Sequence, residues 1–166
     1  MSDYPPDILK DQLSASFPSF TVQTQPPLLD PSEAYDSSRG QYHSTRILVL
    51  LEEYLQVTPV NRLLGLSALD LYVPGMNFVF GEARCPGRVA VVSTRRLKPA
   101  SHAKTDLFSD RVLKEAAHEI GHTLGLRHCP DVLCVMHFSE QIGDTDRKRA
   151  KFCTDCKAIL KGRKIE

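Results

Sequence analysis

His118-Glu-Ile-Gly-His122-Thr-Leu-Gly125-Leu-Arg-His128 is the stretch that decides how this chain folds and what it does. His118 and His122 stand four apart, so a helix sets both on one face, about 6 Å apart along its axis. That separation lets two imidazoles share one Zn2+ at about 2.0–2.1 Å each. Glu119 lies one step round from His118 and flanks such an ion without being its natural third ligand. Gly125 ends the helix, because glycine accepts the positive φ found just past a helix end, and lets the chain turn. His128 then arrives as the third ligand. Three neutral imidazoles leave the fourth position of a tetrahedral zinc open for water, as in catalytic rather than structural zinc sites. The alternative is three histidines on the surface or in the core with no metal. By chance, HExxH arises about once in a hundred chains of this composition, and HExxHxxGxxH about once in tens of thousands. Three histidines and a glutamate so close together also make a poor core, since each needs a polar partner.

Four of the five cysteines crowd into residues 129–156. Cys129 follows the third histidine directly, Cys134 comes next, and Cys153 with Cys156 forms C-x-x-C. Two short ligand pairs of this kind close a tetrahedral four-sulfur zinc site, and soft thiolates suit the metal. Such a clasp would hold the last helix to the loop after the active-site helix. Its binding free energy, about 10–16 kcal/mol for structural zinc, becomes folding free energy. Redox use of the C-x-x-C and a set of reduced core thiols are the alternatives. Cys85 stands outside the set and reads as a strand or turn thiol. His43, His102 and His137 lack metal-ligand spacing and read as structural or exposed, His137 lying near enough to the site for a modest role in it.

At 166 residues the chain has room for one domain with its own core. With 42% hydrophobic and 25% charged residues, wholesale disorder is excluded. A net charge of +1 offers no global attraction for nucleic acid or membranes. The charge is uneven: residues 147–166 hold eight Lys/Arg and two Asp/Glu, a local +6 that leaves −5 elsewhere. A solvated basic helix is the plain account of this excess, an anionic partner the other. No apolar run approaches the ~18 residues of a membrane span. The start, MSDYPPDILKDQ, has neither the basic flank nor the apolar segment of a signal peptide. A cytoplasmic protein is expected, in a reducing compartment that disfavours disulfides.

Prolines at 5–6, 26–27 and 31 predict short elements and loops over the first forty residues, with Phe20–Gln25 alternating like a strand. Ile47, Leu50, Leu51, Tyr54 and Leu55 predict an amphipathic helix over 41–56. Strands are predicted over 69–73, 78–83 and 88–93, and a helix from Ser109 or Asp110, either a good N-cap, to Gly125. A last helix is predicted over about 144–161. This order argues for one α+β domain around a mixed sheet.

The motif HExxHxxGxxH followed by a methionine resembles the metzincin signature, with Met136 placed to be the Met-turn residue beneath the histidines. Read without the family, Met136 is a core methionine. The pattern HC-x4-C-x-M…C-x2-C, together with DLYVPGMNFVFGEA and VAVVSTRRL, is similar to the archaemetzincin branch of these zinc metallopeptidases over roughly residues 40–160. The resemblance implies a compact metzincin-like domain: a twisted mixed sheet of about five strands with three main helices. It implies a single catalytic domain over 1–166 with a zinc-clasped C-terminal subdomain from about 126 to 166. It also implies that Phe78, Val79, Phe80, Gly81, Glu82 and Ala83 form the strand edging the cleft, where an extended substrate pairs. An open strand edge does offer unpaired N–H and C=O groups to a peptide. Some metzincins place a tyrosine shortly after the methionine; here His137 and Phe138 follow, so no side chain is assigned to the oxyanion.

The expected function is zinc-dependent peptide-bond hydrolysis, with two zinc ions per chain. One is catalytic, held by His118, His122 and His128 with Glu119 as general base. The other is structural, held by Cys129, Cys134, Cys153 and Cys156. The competing function is a zinc-stabilised metzincin-like binding protein with little or no proteolysis, which has no physical need of Glu119. Nucleic-acid binding is disfavoured, because the ligands build no finger that presents a helix to a groove. The expected partner is a peptide or protein substrate, with no membrane; spacing says nothing of oligomeric state.

Overall fold

The computed structural model describes residues 3–25, 30–101 and 105–163. Along the chain these form α1 (Pro6–Ser16), a 3-10 turn (Ser32–Ala34), β1 (Tyr35–Asp36), β2 (Gln41–His43), α2 (Ser44–Gln56), β3 (Leu63–Ser67) and β4 (Leu71–Tyr72). They continue with β5 (Gly81–Ala83), β6 (Val89–Ser93), α3 (Thr105–Thr123), α4 (Ile142–Arg147) and α5 (Thr154–Lys161).

The strands make two three-stranded mixed sheets, ordered β1-β2-β4 and β3-β6-β5, where one sheet of about five strands was expected. An antiparallel bridge from Leu71 of β4 to Val79, two residues before β5, links the two sheets among the described residues. In the second sheet β6 runs parallel to β3 and antiparallel to β5. All five residues of β6 are buried because a helix covers each face. Val89 and Val91 pack with Ile47, Leu48, Leu51 and Leu55 of α2, whereas Val92 packs with Val112 and Ala116 of α3. The period-two alternation of a strand thus splits one hydrophobic run between two cores.

Several sequence expectations change. The proline-punctuated start contains a helix, α1: Pro6 sits at the first helical position, where its missing N–H costs nothing, and Leu9 and Leu13 bury one face. Tyr4 and Gln12 hydrogen-bond to Ser109 at 2.6 and 2.9 Å, which docks α1 on α3. Ser109 is therefore inside α3, which starts at Thr105, and does not cap it. Phe20–Gln25 is not a strand; Phe20 and Val22 pack on the core without a backbone ladder. The helix expected over 41–56 begins at Ser44, because Gln41–His43 pair with β1 and β4. The strand over 69–73 shortens to Leu71–Tyr72, and β3 was not foreseen. The expected last helix splits into α4 and α5, because residues 148–153 leave the helical path to pair with the cysteine loop: Arg149 N–H donates to Leu133, and Val135 N–H to Lys151. His102 lies outside the described residues.

Two backbone bonds end α3, Leu126 N–H to Gly121 and Gly125 N–H to His122, with Gly125 at φ +88°. This Schellman geometry demands a left-handed residue, and Arg163 covers it by donating to the Leu124 carbonyl at 3.0 Å. Gly125→Ala is expected to destabilise the fold by about 1–2 kcal/mol, the cost of a Cβ in that conformation; chemical denaturation of both proteins measures it.

Candidate metal centre and cleft

His118 and His122 project from the last two turns of α3, and the glycine turn returns the chain so that His128 meets them. Ring centroids lie 4.6 Å (118–122), 5.4 Å (118–128) and 4.9 Å (122–128) apart. His118 is buried and His128 exposed, so the cluster spans from core to cleft.

The tautomers follow from the partners. Nδ1 of His118 faces the Val135 carbonyl at 2.8 Å, and Nδ1 of His122 faces the Leu126 carbonyl at 2.7 Å. A carbonyl only accepts, so both Nδ1 atoms carry the proton. The two Nε2 lone pairs then face each other at 3.1 Å with no hydrogen between them. That contact is repulsive unless a cation sits beside both. Tetrahedral zinc separates two of its imidazole nitrogens by about 3.3 Å, so this donor set fits the metal. Burial pushes the His118 imidazole well below its ordinary pKa, with Lys148 the next cause, and burial likewise lowers His122. Both shifts favour the neutral imidazole, the form that can act as a ligand.

Glu119 is buried beside His118, and burial pushes its carboxyl well above the usual range, with Glu115 adding to the shift. It packs against Gly81 of β5: a Cβ there would lie 2.8 Å from the Glu119 Cγ and Oε1. The same Cβ would lie 2.6 Å from the Val91 carbonyl oxygen of β6, so the strand needs glycine both for its seat on β6 and to let the carboxylate approach. Met136 is fully buried, its sulfur against Gly121, between the two helical histidines in sequence.

The edge segment is shorter as regular structure than 78–83. Phe78 and Phe80 form an edge-to-face pair at 5.2 Å, and Val79 gives its N–H to Leu71 at 2.9 Å. Only Gly81–Ala83 are strand. Phe80 accepts from Ser93 N–H, and Arg84 N–H donates to Val89, both across to β6. Alternation in an antiparallel ladder then turns the N–H and C=O groups of Gly81 and Ala83 to the open edge. Glu82 points the other way, its carboxylate bonded by Ser44 and Thr45 at the start of α2. A cleft of about 210 Å³ lies between this edge and α3, with Phe138, Ser139 and Cys85 on its walls. Cys85 is exposed and its thiol donates to the Leu126 carbonyl at 3.3 Å.

Cys129, Cys134, Cys153 and Cys156 bring their sulfurs within 4.8 Å of one another. The Cys129–Cys153 and Cys134–Cys156 pairs stand at 3.7 and 3.8 Å, too far for disulfides and close to the ~3.8 Å that tetrahedral zinc sets between thiolates. Backbone N–H groups of Met136 and Cys153 point at the Cys134 sulfur at 3.4 and 3.3 Å, and that of Cys156 at Cys153, which suits thiolates. The Cys156 N–H chiefly lowers the Cys153 pKa, whereas burial raises Cys129 and Cys156.

The model of peptidase family M54 matches residues 29–162. The chain belongs to peptidase family M54. The archaemetzincin of Methanopyrus kandleri is 48% identical over 134 residues, covering 78% of this chain and 71% of that protein. The crystal structure of that archaemetzincin superposes with a TM-score of 0.83 at 40% identity, over 98% of this chain and 89% of the other. The Archaeoglobus fulgidus archaemetzincin, solved in complex with malonate, gives a TM-score of 0.82 at 41% identity over 95% and 94%. A zinc-dependent peptidase from Methanocorpusculum labreanum gives 0.83 at 30% identity over 96% of each chain. The sequence-level resemblance and the α+β class hold, and membership makes this chain a zinc metallopeptidase.

Sequence reasoning missed the charged pair beneath the M54 histidines. Glu115, one turn before Glu119 on the same buried face, bonds Lys148 at 2.9 Å, and both are buried. The available signal was a carboxylate spaced on the ligand face of α3. The lysine partner, distant in sequence, had none. Gly81→Val is expected to displace the Glu119 carboxylate, β5, or both; a crystal structure of the variant with neither moved would refute the packing requirement.

Proposed function

We propose that this M54 peptidase hydrolyses peptide bonds at the three-histidine cluster, with Glu119 as general base and β5 as the seat of the substrate backbone. The facing Nε2 lone pairs of His118 and His122 carry this reading. His118, His122 and His128 would hold the catalytic zinc. Bound there, zinc supplies Lewis acidity that polarises the scissile carbonyl and acidifies water.

The chain's own groups do the rest. The outward N–H and C=O groups of Gly81 and Ala83 hold an extended peptide as an added strand. Gly81 contacts Glu119, so a peptide on this edge brings its scissile bond beside that carboxylate. A carboxylate oxygen of Glu119 takes the proton of the attacking water and delivers it to the leaving nitrogen. Burial raises its proton affinity above that of an exposed carboxylate. The Nδ1–H bonds to Val135 and Leu126 hold the two helical rings in one tautomer and orientation.

The four cysteines would hold a second, structural zinc, which fastens a C-terminal subdomain from about 126 to 166 onto a single catalytic domain. Its role is to fix the loop that carries His128 and Met136, since Cys129 N–H donates to the Met136 carbonyl at 2.9 Å. None of the five cysteines is in a disulfide, as suits a reducing, cytoplasmic compartment. No helix among the described residues is long and apolar enough to cross a membrane.

Glu119→Gln is expected to keep the fold and metal content while lowering turnover of a peptide library at least about a hundredfold. Retained activity would remove the general-base role. Cys153→Ser is expected to halve the zinc measured per chain, from two to one, with the histidine-bound ion retained; an unchanged zinc content would remove the clasp.

A further inference from the structure

Lys148 is among the largest fully buried side chains of the molecule, and the hydrolytic machinery makes no use of it. It leaves the end of α4 and runs inward, where its Nζ meets Glu115 Oε1 at 2.9 Å and donates to the His137 carbonyl at 3.3 Å. The same carboxylate oxygen accepts from Thr145 at 2.8 Å and from Ser139 at 3.4 Å. Every partner of this buried oxygen thus comes from the loop after Met136 or from α4. Glu115 itself stays on α3, four residues before Glu119, and reaches the floor of the cleft.

From this geometry we infer that Lys148 is a positioning residue for the peptide seat: its ammonium, bridging Glu115 and the His137 carbonyl, sets the wall formed by Phe138 and Ser139 against the histidine cluster. Stability alone does not call for such a pair, because well-packed apolar side chains of similar volume usually replace a buried ion pair without loss. An apolar pair, however, offers no donor to His137. Without that donor, the segment His137–Ser139 keeps its hold on Cys129, through the His137 ring nitrogen at 2.9 Å, and the long Ser139 bond to Glu115 at 3.4 Å, but loses the charged tie to α3 that runs through Lys148. Phe138, whose ring stands 5.0 Å from that of His128, rides on this segment and faces the substrate. The predicted deficit is therefore in holding peptide. The kinetic part of this inference rests on the peptidase assignment above.

The test is the double variant Glu115→Gln/Lys148→Met in the full chain with both metals bound. The introduced glutamine keeps an acceptor for Thr145 and Ser139, and the introduced methionine fills the space of the lysine. KM for a cleaved peptide is expected to rise about tenfold, the loss of one charge-assisted hydrogen bond, with kcat within about twofold. Amide hydrogen exchange is expected to quicken over residues 137–139 and not over α3. Unchanged KM and exchange would overturn the role, and so would a fall in kcat at constant KM. If the double variant fails to fold, Ser139→Ala, which removes only a half-buried hydroxyl, is expected to shift both readouts the same way by a smaller factor; no shift there would likewise overturn it. Absence of cleavage by the wild type would count against the peptidase reading alone, and the exchange measurement would still decide whether Lys148 holds the wall.

Discussion

Two nitrogen lone pairs held face to face organise this molecule. The Nδ1–H groups of His118 and His122 donate to the carbonyls of Val135 and Leu126, and the opposite nitrogens are left 3.1 Å apart. Such an arrangement is costly in an apolar interior without a cation. The protein builds it with two loop carbonyls that themselves need fixing. Leu126 is fixed by the Schellman turn at Gly125, and Val135 by its pairing to Lys151. The cysteine cluster lies behind both, so the sulfur site and the histidine site share one scaffold.

The same economy shows in the sheet. Strand β6 is buried on both faces and anchors β5, while β5 keeps one edge clear beyond the Val79 bridge. Glycine at position 81 brings that edge into contact with Glu119. Glu119 and the open edge of β5 are therefore neighbours through the absence of a side chain. Buried charge is arranged with equal care: Glu115, Thr145, Ser139 and Lys148 satisfy one another beneath the cleft, and Arg111 meets Asp146 in a two-pronged pair at 2.7 Å that ties α3 to α4.

Much of this was legible in the chain. Spacing placed His118 and His122 on one helical face and His128 after a glycine turn, and the four cysteines come together as their pairing suggested. These are local features, decided within a turn of helix or a short loop. The less legible parts were those decided at a distance. The edge of the sheet stops being regular at Phe80 because Leu71 captures Val79. The last helix breaks because residues 148–153 pair with the cysteine loop. The proline-rich start folds as α1 because α3 offers Ser109 and an apolar face to cover.

The sequence by itself determined which histidines and cysteines would cluster and the reaction class, because HExxHxxGxxH and its cysteines carry their chemistry in side-chain identity and near-neighbour spacing. Tertiary structure alone decided which strand atoms face the cleft, that Gly81 must be bare for Glu119 to approach, and that a lysine far along the chain returns to neutralise Glu115. Those outcomes depend on packing and burial between segments distant in sequence, where no local periodicity records which charge will find which partner.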